Sequence, residues 1–354
     1  MPLTSPRTSR TTVGPLGRLG RWTATHFRAV AVAWLLIAVA FGMFAPRAEH
    51  ALSGAGWEAT GSESVKAREL VEKHFSGLGS YGLMVVVHAP GKTVEDPAFA
   101  RTVASVERTL AADESIADVV GPQRGVSISP DGHTAVVQAG AAADPNEMVR
   151  AAGDLKTRLA ELGGDGVEVS LTGASGMWSD FNEANKTAMM KSEIVSWPVT
   201  LAILVIAFGS LVAAGLPLML TILGLLAAAG SLYLGAQVMD ISIWAMNFAL
   251  MFALALGVDY ALFVVYRFRG AFFGSKLSAV EATAVTMDTA GKAVLFSGLT
   301  VLISLSAVML VPSPAFRSMS LGIMLAVLFV LAATLTLLPA VLAKLGPRVD
   351  ALAL

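Results

Sequence analysis

Cysteine is absent from the 354 residues, which excludes disulfides, thiol nucleophiles and zinc–thiolate sites. Charge is scarce: Asp, Glu, Lys and Arg together make up 14% of the chain. The five histidines, His26, His50, His74, His88 and His133, have no metal-ligand spacing. Catalytic signatures are missing too. Gly91-Lys92-Thr93 has the end of a phosphate loop, but Val86 stands where its first glycine belongs. Gly173, Ser175 and Met177 miss the nucleophile elbow, which needs glycine in place of Met177. The chain is therefore expected not to be an enzyme and to carry no cofactor or metal.

What is abundant is apolar sequence: 55% of residues are hydrophobic and the mean hydropathy is +0.67. That composition belongs to an integral membrane protein. A spanning helix needs about 20 mostly apolar residues, and six segments qualify: 27–45, 190–210, 213–235, 241–266, 293–311 and 319–342. The first reads better as a span than as a cleaved signal peptide, because its basic flank and its apolar run are both long. Arg7, Arg10, Arg18, Arg21 and Arg28 precede or open it, and Arg267, Arg269, Lys276 and Lys292 follow the fourth span. The excess of bases at these ends puts both in the cytoplasm. An even span count then returns Lys344 and Arg348 to the same side. The expected organisation is a cytoplasmic segment 1–26, an extracytoplasmic domain 46–189, a cytoplasmic loop with an amphipathic helix at 267–292, and a cytoplasmic tail 343–354.

The domain between the first two spans is acidic: from Arg47 to Glu193 there are 21 acids against 13 bases, which gives no encouragement to nucleic-acid binding. Its periodicity predicts an amphipathic helix from Ser62 to Phe75 and a strand from Tyr81 to His88. A helix follows from Asp96 to about Ala112, capped by Asp96. Short strands are expected at 117–121, 125–129 and 133–140, then a helix opened by Asp144 and Pro145, and a last strand at 167–172. This order contains a split β-α-β-β-α-β arrangement. From Ser175 the pattern is helical again, either running directly into the second span or broken by a joint near Gly173 and Gly176.

One acidic residue, Asp259, lies with Tyr260 in the middle of the fourth span. A carboxylate at the centre of a bilayer costs at least ~2.5 kcal/mol on insertion scales, so such residues usually face a bundle interior and mark an ion or proton path. Phe263 falls one turn further along the same face. Ser297, Thr300 and Ser304 share a face of the fifth span, and Asn247 lies twelve residues before Asp259. Together they form a candidate polar lane. The plainer readings are a static interhelical hydrogen bond for Asp259 and bonds to their own helix carbonyls for the hydroxyl residues.

Four blocks carry a resemblance: Phe208 to Leu218 (FGSLVAAGLPL), Gly257 to Arg269 (GVDYALFVVYRFR), Thr289 to Val301 (TAGKAVLFSGLTV) and Leu337 to Pro347 (LLPAVLAKLGP). They resemble the signature blocks of MmpL-type transporters of the resistance-nodulation-division superfamily. The resemblance implies the N-terminal half of such a transporter: a six-helix transmembrane bundle with an extracytoplasmic α+β porter-like domain. It further implies a plasma-membrane exporter of lipids or other hydrophobic molecules driven by protons. Asp259 and Tyr260 match the proton relay, Phe263 an aromatic beside it, and Ser297 a polar position facing it. Family members usually contain two such halves. A natural half-transporter, a truncation and a degenerate copy are the three readings. A half working alone is expected to form a homodimer in which Asp259 of one protomer meets Tyr260 of the other. The alternative of another class is a non-transporting scaffold or accessory subunit.

Overall fold

The computed structural model describes residues 13–52, 57–239 and 241–352; Arg7, Arg10 and Asp240 lie outside them. Six helices are long and apolar enough to cross a membrane, and the chain is a multi-pass membrane protein. The helices are Phe27–Ala48, which begins with α2 (Phe27–Gly42), α7 (Ala174–Phe208), α8 (Leu211–Ala236), α9 (Trp244–Phe273), Ala279–Val308, which ends with α11 (Lys292–Val308), and Pro314–Asp350, which begins with α12 (Pro314–Leu345). The long central helix α12 packs on α9, α8, α11 and α2. Its approach to α9 is close enough that a Cβ on Gly322 would lie 2.3 Å from the Ala245 carbonyl oxygen, as expected where small residues let spanning helices meet backbone to backbone. Most of the core residues of α8, α9 and α12 are Ala, Val and Leu.

Two features of the bundle differ from the reading of the sequence. Residues before the first span form a helix, α1 (Pro15–Thr25), which buries Gly17, Gly20 and Thr23. It packs on α10 (Ala279–Thr286) and on α12. The expected amphipathic helix of the 267–292 loop is thus α10, and its Ala282, Thr283, Ala284 and Thr286 are buried. α10 continues through a π-helical turn, Met287–Gly291, straight into α11. The Gly14 amide donates to Asp288 Oδ1 at 3.0 Å, and Lys292 pairs with Asp288 at 2.9 Å, so α1 is tied to the turn where the fifth span begins.

Between α3 (Ala45–Ala51) and α7 lies a domain with α4 (Glu63–His74), β1 (Leu83–His88), α5 (Pro97–Ala111), β2 (Ile116–Val120), β3 (Thr134–Ala141), α6 (Pro145–Ala160) and β4 (Glu168–Thr172). The sheet order is β2-β3-β1-β4 with antiparallel neighbours. Leu83, Val85 and Val87 alternate inward along β1, against Phe99 and Leu110 of α5 and Met148 and Leu155 of α6. Ser62 caps α4 through Val65, and Asp144 caps α6 by accepting from Asn146 and Glu147 at 2.7 and 3.1 Å. Asp96 makes no side-chain cap; its carboxylate turns back to the Thr93 amide at 2.6 Å. The expected strand at 125–129 is a turn with isolated bridges only, opened by Gly125 at φ +77.

Of the two alternatives at the junction, α7 is one continuous helix of 35 residues through Pro198. It carries the chain from the sheet to the far end of the second span. The domain also touches the bundle through the Thr60 amide, which donates to the Pro312 carbonyl at 2.8 Å. An aromatic contact adds to this: Trp57 packs edge-on against Trp244 and Phe316.

Candidate functional site

Asp259 stands midway along the 30-residue α9, about 22 Å from its start at 1.5 Å per residue. Its azimuth is set on the opposite side of the helix. Gly257, two residues and about 200° away, is buried against Thr221 of α8, where a Cβ would lie 2.4 Å from Thr221 Oγ1. With Gly257 seated there, Asp259 faces out of the bundle and is exposed. Phe263, one turn on, is 51% exposed on the same side. Among the described residues no ion pair or hydrogen bond reaches the Asp259 carboxylate.

Tyr260 goes the other way. It is 5% exposed, and its hydroxyl is buried without a hydrogen-bond partner. The two residues are adjacent in sequence but about 100° apart around the helix. The carboxylate looks outward and the phenol inward. The expected meeting of Asp259 with a second protomer's Tyr260 would have to reach a hydroxyl enclosed by its own bundle.

Ser297, Thr300 and Ser304 are exposed on α11. Thr300 Oγ1 donates to the Phe296 carbonyl at 2.8 Å, the bond to its own helix that the plainer reading expects. α11 leans on α12, with Gly298 against Leu331, rather than on α9. The hydroxyls and Asp259 are therefore brought to the outer surface of the bundle without being joined in one bonded lane.

Asn247 is separate from all of them. Twelve residues from Asp259, it lies about 18 Å further along the helix. The residue is 8% exposed, its amide nitrogen is buried without a partner, and it walls a cavity of about 440 Å³ between α7, α8 and α9. The sequence reading missed this cavity. No periodicity shows that α7 stands away from α9 at this depth, although an asparagine one turn into an apolar span was a signal.

The opposite end of the bundle gathers bases. Arg269 donates to the Phe208 carbonyl at 2.7 Å, covers the Phe208 ring and pairs with Asp350; Arg267 donates to Thr289 Oγ1 at 3.1 Å. Among the described residues no cluster of His, Asp and Glu could hold a metal ion.

A family model described as the MMPL family matches residues 56–353. A membrane protein of Streptomyces coelicolor is 34% identical over 295 residues, covering 82% of this chain and 41% of the relative. The mycolic acid-containing lipids exporter MmpL11 of Mycolicibacterium smegmatis is 29% identical over 330 residues, 92% of this chain and 34% of the relative. The heme uptake protein MmpL11 of Mycobacterium tuberculosis is 28% identical over 319 residues, 88% of this chain and 32% of the relative. The chain spans less than half the length of these curated relatives.

Proposed function

The chain belongs to the MMPL family, and from that premise we propose that it is a transporting unit of a proton-driven lipid exporter in which Asp259 carries the proton. The observation that carries this reading is the position of Asp259: a carboxylate at mid-span, on an outward face, beside the exposed Phe263 and without a protein partner of its own. Hydrocarbon is a costly neighbour for such a group. A second protein surface over this face would desolvate it together with Phe263.

The covering surface is a second six-helix half. Loading and release of a proton there change what α9 can bind. α9 is seated on α8 through Gly257 and on α12 through Gly322, so a shift of α9 is passed to both. The continuous α7, packed on α8, delivers that shift to the sheet. The sheet order β4-β1-β3-β2 with helices α5 and α6 between the strands supports reading this domain as the split β-α-β-β-α-β porter unit on the extracytoplasmic side. The bases of α1, of the α9 to α11 connection and of the C-terminal segment support placing both termini in the cytoplasm of a plasma-membrane protein.

Lipid is the proposed cargo class, by likeness to the M. smegmatis exporter and because a cavity lined largely by apolar side chains, with Asn185, Lys186, Glu193 and Asn247 among them, opens among the spanning helices. The chain's lack of native cysteine makes the test clean. A single cysteine at Phe263, alkylated with benzophenone maleimide and photolysed in native membranes, is expected to cross-link to a second half-bundle through that face by insertion into one of its C–H bonds, while a cysteine at Leu35 on the exposed face of α2 is not. Equal capture at both positions would refute a specific cover over Asp259.

A further inference from the structure

The basic end of the bundle carries a surface that the transport reading leaves unused. From Met1 to Phe44 the chain has no acid, and Arg18, Arg21 and Arg28 of that stretch fall among the described residues. α1 shows how they are presented. Gly17, Gly20 and Thr23 recur three apart and form its buried side. The packing there is close: a Cβ on Gly17 would lie 2.9 Å from the Ala284 carbonyl oxygen, and one on Gly20 2.5 Å from Met287 Cγ. On the opposite side Pro15, Arg18, Trp22 and Thr25 recur three or four apart, and all four are exposed. Trp22 also stacks on His26, with ring centroids 5.0 Å apart. Leu19 and Arg21 flank this stripe and are half-buried, and Arg28, in the first turn of α2, is exposed.

The two ends of α1 show where it lies. At one, the Gly14 amide donates to Asp288 Oδ1 at 3.0 Å, four residues before α11 begins. At the other, His26 interrupts the helix and α2 starts at Phe27. α2 and α11 belong to the first and fifth of the six spans, which enter the membrane from the same side. An 11-residue helix, about 16 Å long, with both ends held where spans begin lies along the membrane surface. Arginine and tryptophan on the free side of such a helix are the composition of an interfacial segment.

No carboxylate takes up these guanidinium groups. Among the described residues Arg18, Arg21 and Arg28 make no ion pair. The acids of the elements that pack on α1 are engaged elsewhere: Asp288 by Lys292 and the Gly14 amide, Glu281 by the Ser278 cap, and Asp350 by Arg269. An arginine fork matches the oxygens of a phosphate, and tryptophan sits at the headgroup level of a bilayer.

We propose that the outward face of α1, together with Arg28, binds the phosphate headgroups of anionic phospholipid in the leaflet where the first span begins. This goes beyond the transport reading: the partner is a component of the bilayer surface and not the cargo, and binding needs neither the proton step nor a second half-bundle.

Because the chain has no cysteine, Thr25→Cys accepts a single bimane within a turn of Arg21 and Arg28. The full chain is placed in phosphatidylcholine nanodiscs that contain the same small fraction of either 5-doxyl phosphatidylglycerol or 5-doxyl phosphatidylcholine, and bimane quenching reports which lipid collects there. A single base near an anionic surface is worth about fivefold in lipid enrichment. Phosphatidylglycerol is therefore expected to be enriched at least about fivefold over phosphatidylcholine at this position, and not at a bimane on Ile203→Cys, which is exposed on α7. The preference is expected to fall several-fold in about 1 M NaCl, where screening acts over about 3 Å, and in Arg18→Gln/Arg21→Gln, which keeps Arg28 as the flank of the span. The comparison of lipids and of salt requires no arginine variant to fold. Equal quenching by the two lipids at position 25, quenching by neither, or an equal preference at positions 25 and 203 would overturn the proposal. Asp259→Asn is expected to leave the preference unchanged, so failure of the proton reading and failure of this surface give different results.

Discussion

Gly257 of α9 and Thr221 of α8 meet so closely that a single methyl group on the glycine would lie 2.4 Å from the threonine hydroxyl oxygen. This contact fixes which way α9 is turned, and so which way Asp259 points. Gly257→Ala is expected to cost about 1–3 kcal/mol, the usual range for overpacking. Thr221→Ala removes the obstructing oxygen and gives up one weak interhelical bond to the Ala253 carbonyl at 3.4 Å, so alone it is expected to be nearly neutral. The double variant should recover most of the loss. Thermal unfolding of the four proteins in detergent, treated as a double-mutant cycle, checks this; additive losses would show that the two residues do not oppose each other.

Trp34 of α2 donates its indole N–H to Thr336 Oγ1 of α12 at 3.0 Å, joining the first and last spans. Interhelical bonds of this kind in membranes are worth about 0.6 kcal/mol and up to about 2. Thr336→Val keeps the shape and removes the acceptor. It is expected to lower stability by about 1 kcal/mol, read from the same unfolding assay, with Thr336→Ser retaining most of the wild-type value.

Arg269 holds three elements at the basic end of the bundle: the last carbonyl of α7, the Phe208 ring and Asp350 after α12. Replacing it with lysine keeps the charge but loses the planar fork that serves two acceptors at once. Arg269→Lys is therefore expected to loosen the segment after Leu345 partly and Arg269→Ala more fully. Limited proteolysis after Lys344 or Arg348 should speed up in that order. Unchanged cleavage in Arg269→Ala would show that the C-terminal segment is held by Ser210, which donates to the Val349 and Ala351 carbonyls, and not by the arginine.

In the domain between the first two spans, the Asp131 carboxylate accepts from the Ser129 hydroxyl at 2.5 Å and from the His133 amide at 3.1 Å. The Ser129 bond, then the amide, hold its carboxyl below the usual carboxylate range. Because the folded-state value is depressed, the contribution to stability is present above the unfolded value and is lost as pH falls through the folded one. Hydrogen exchange at His133 and Thr134, at the start of β3, is expected to lose protection below that depressed value, relative to the intrinsic exchange rate. Asp131→Asn should remove this pH dependence.

Much of the bundle was legible because a membrane leaves the chain few options. Backbone groups in hydrocarbon must be satisfied within a helix, so each long apolar run was a span, and Asp259 was conspicuous within one. The order of helices and strands along the domain was legible from alternation and from the capping residues Ser62 and Asp144. What the sequence concealed depends on packing between elements. The outward azimuth of Asp259 is set by Gly257 against Thr221, and the inward one of Tyr260 by the same rotation. Gly17, Gly20 and Thr23 of α1, small residues three apart, were a signal for the docking of α1 on α10. Asp96 looked like a cap, yet the Thr93 turn competes for its carboxylate and wins.

Proton-driven lipid efflux from right-side-out membrane vesicles, compared between the wild type and Asp259→Asn, tests the central claim most directly. Asparagine keeps the shape and polarity of the side chain but cannot be charged. The account predicts that an imposed pH gradient drives efflux of a fluorescent lipid in the wild type and none above background in Asp259→Asn, with Asp259→Glu retaining part of the rate. Full gradient-driven efflux in Asp259→Asn would contradict it.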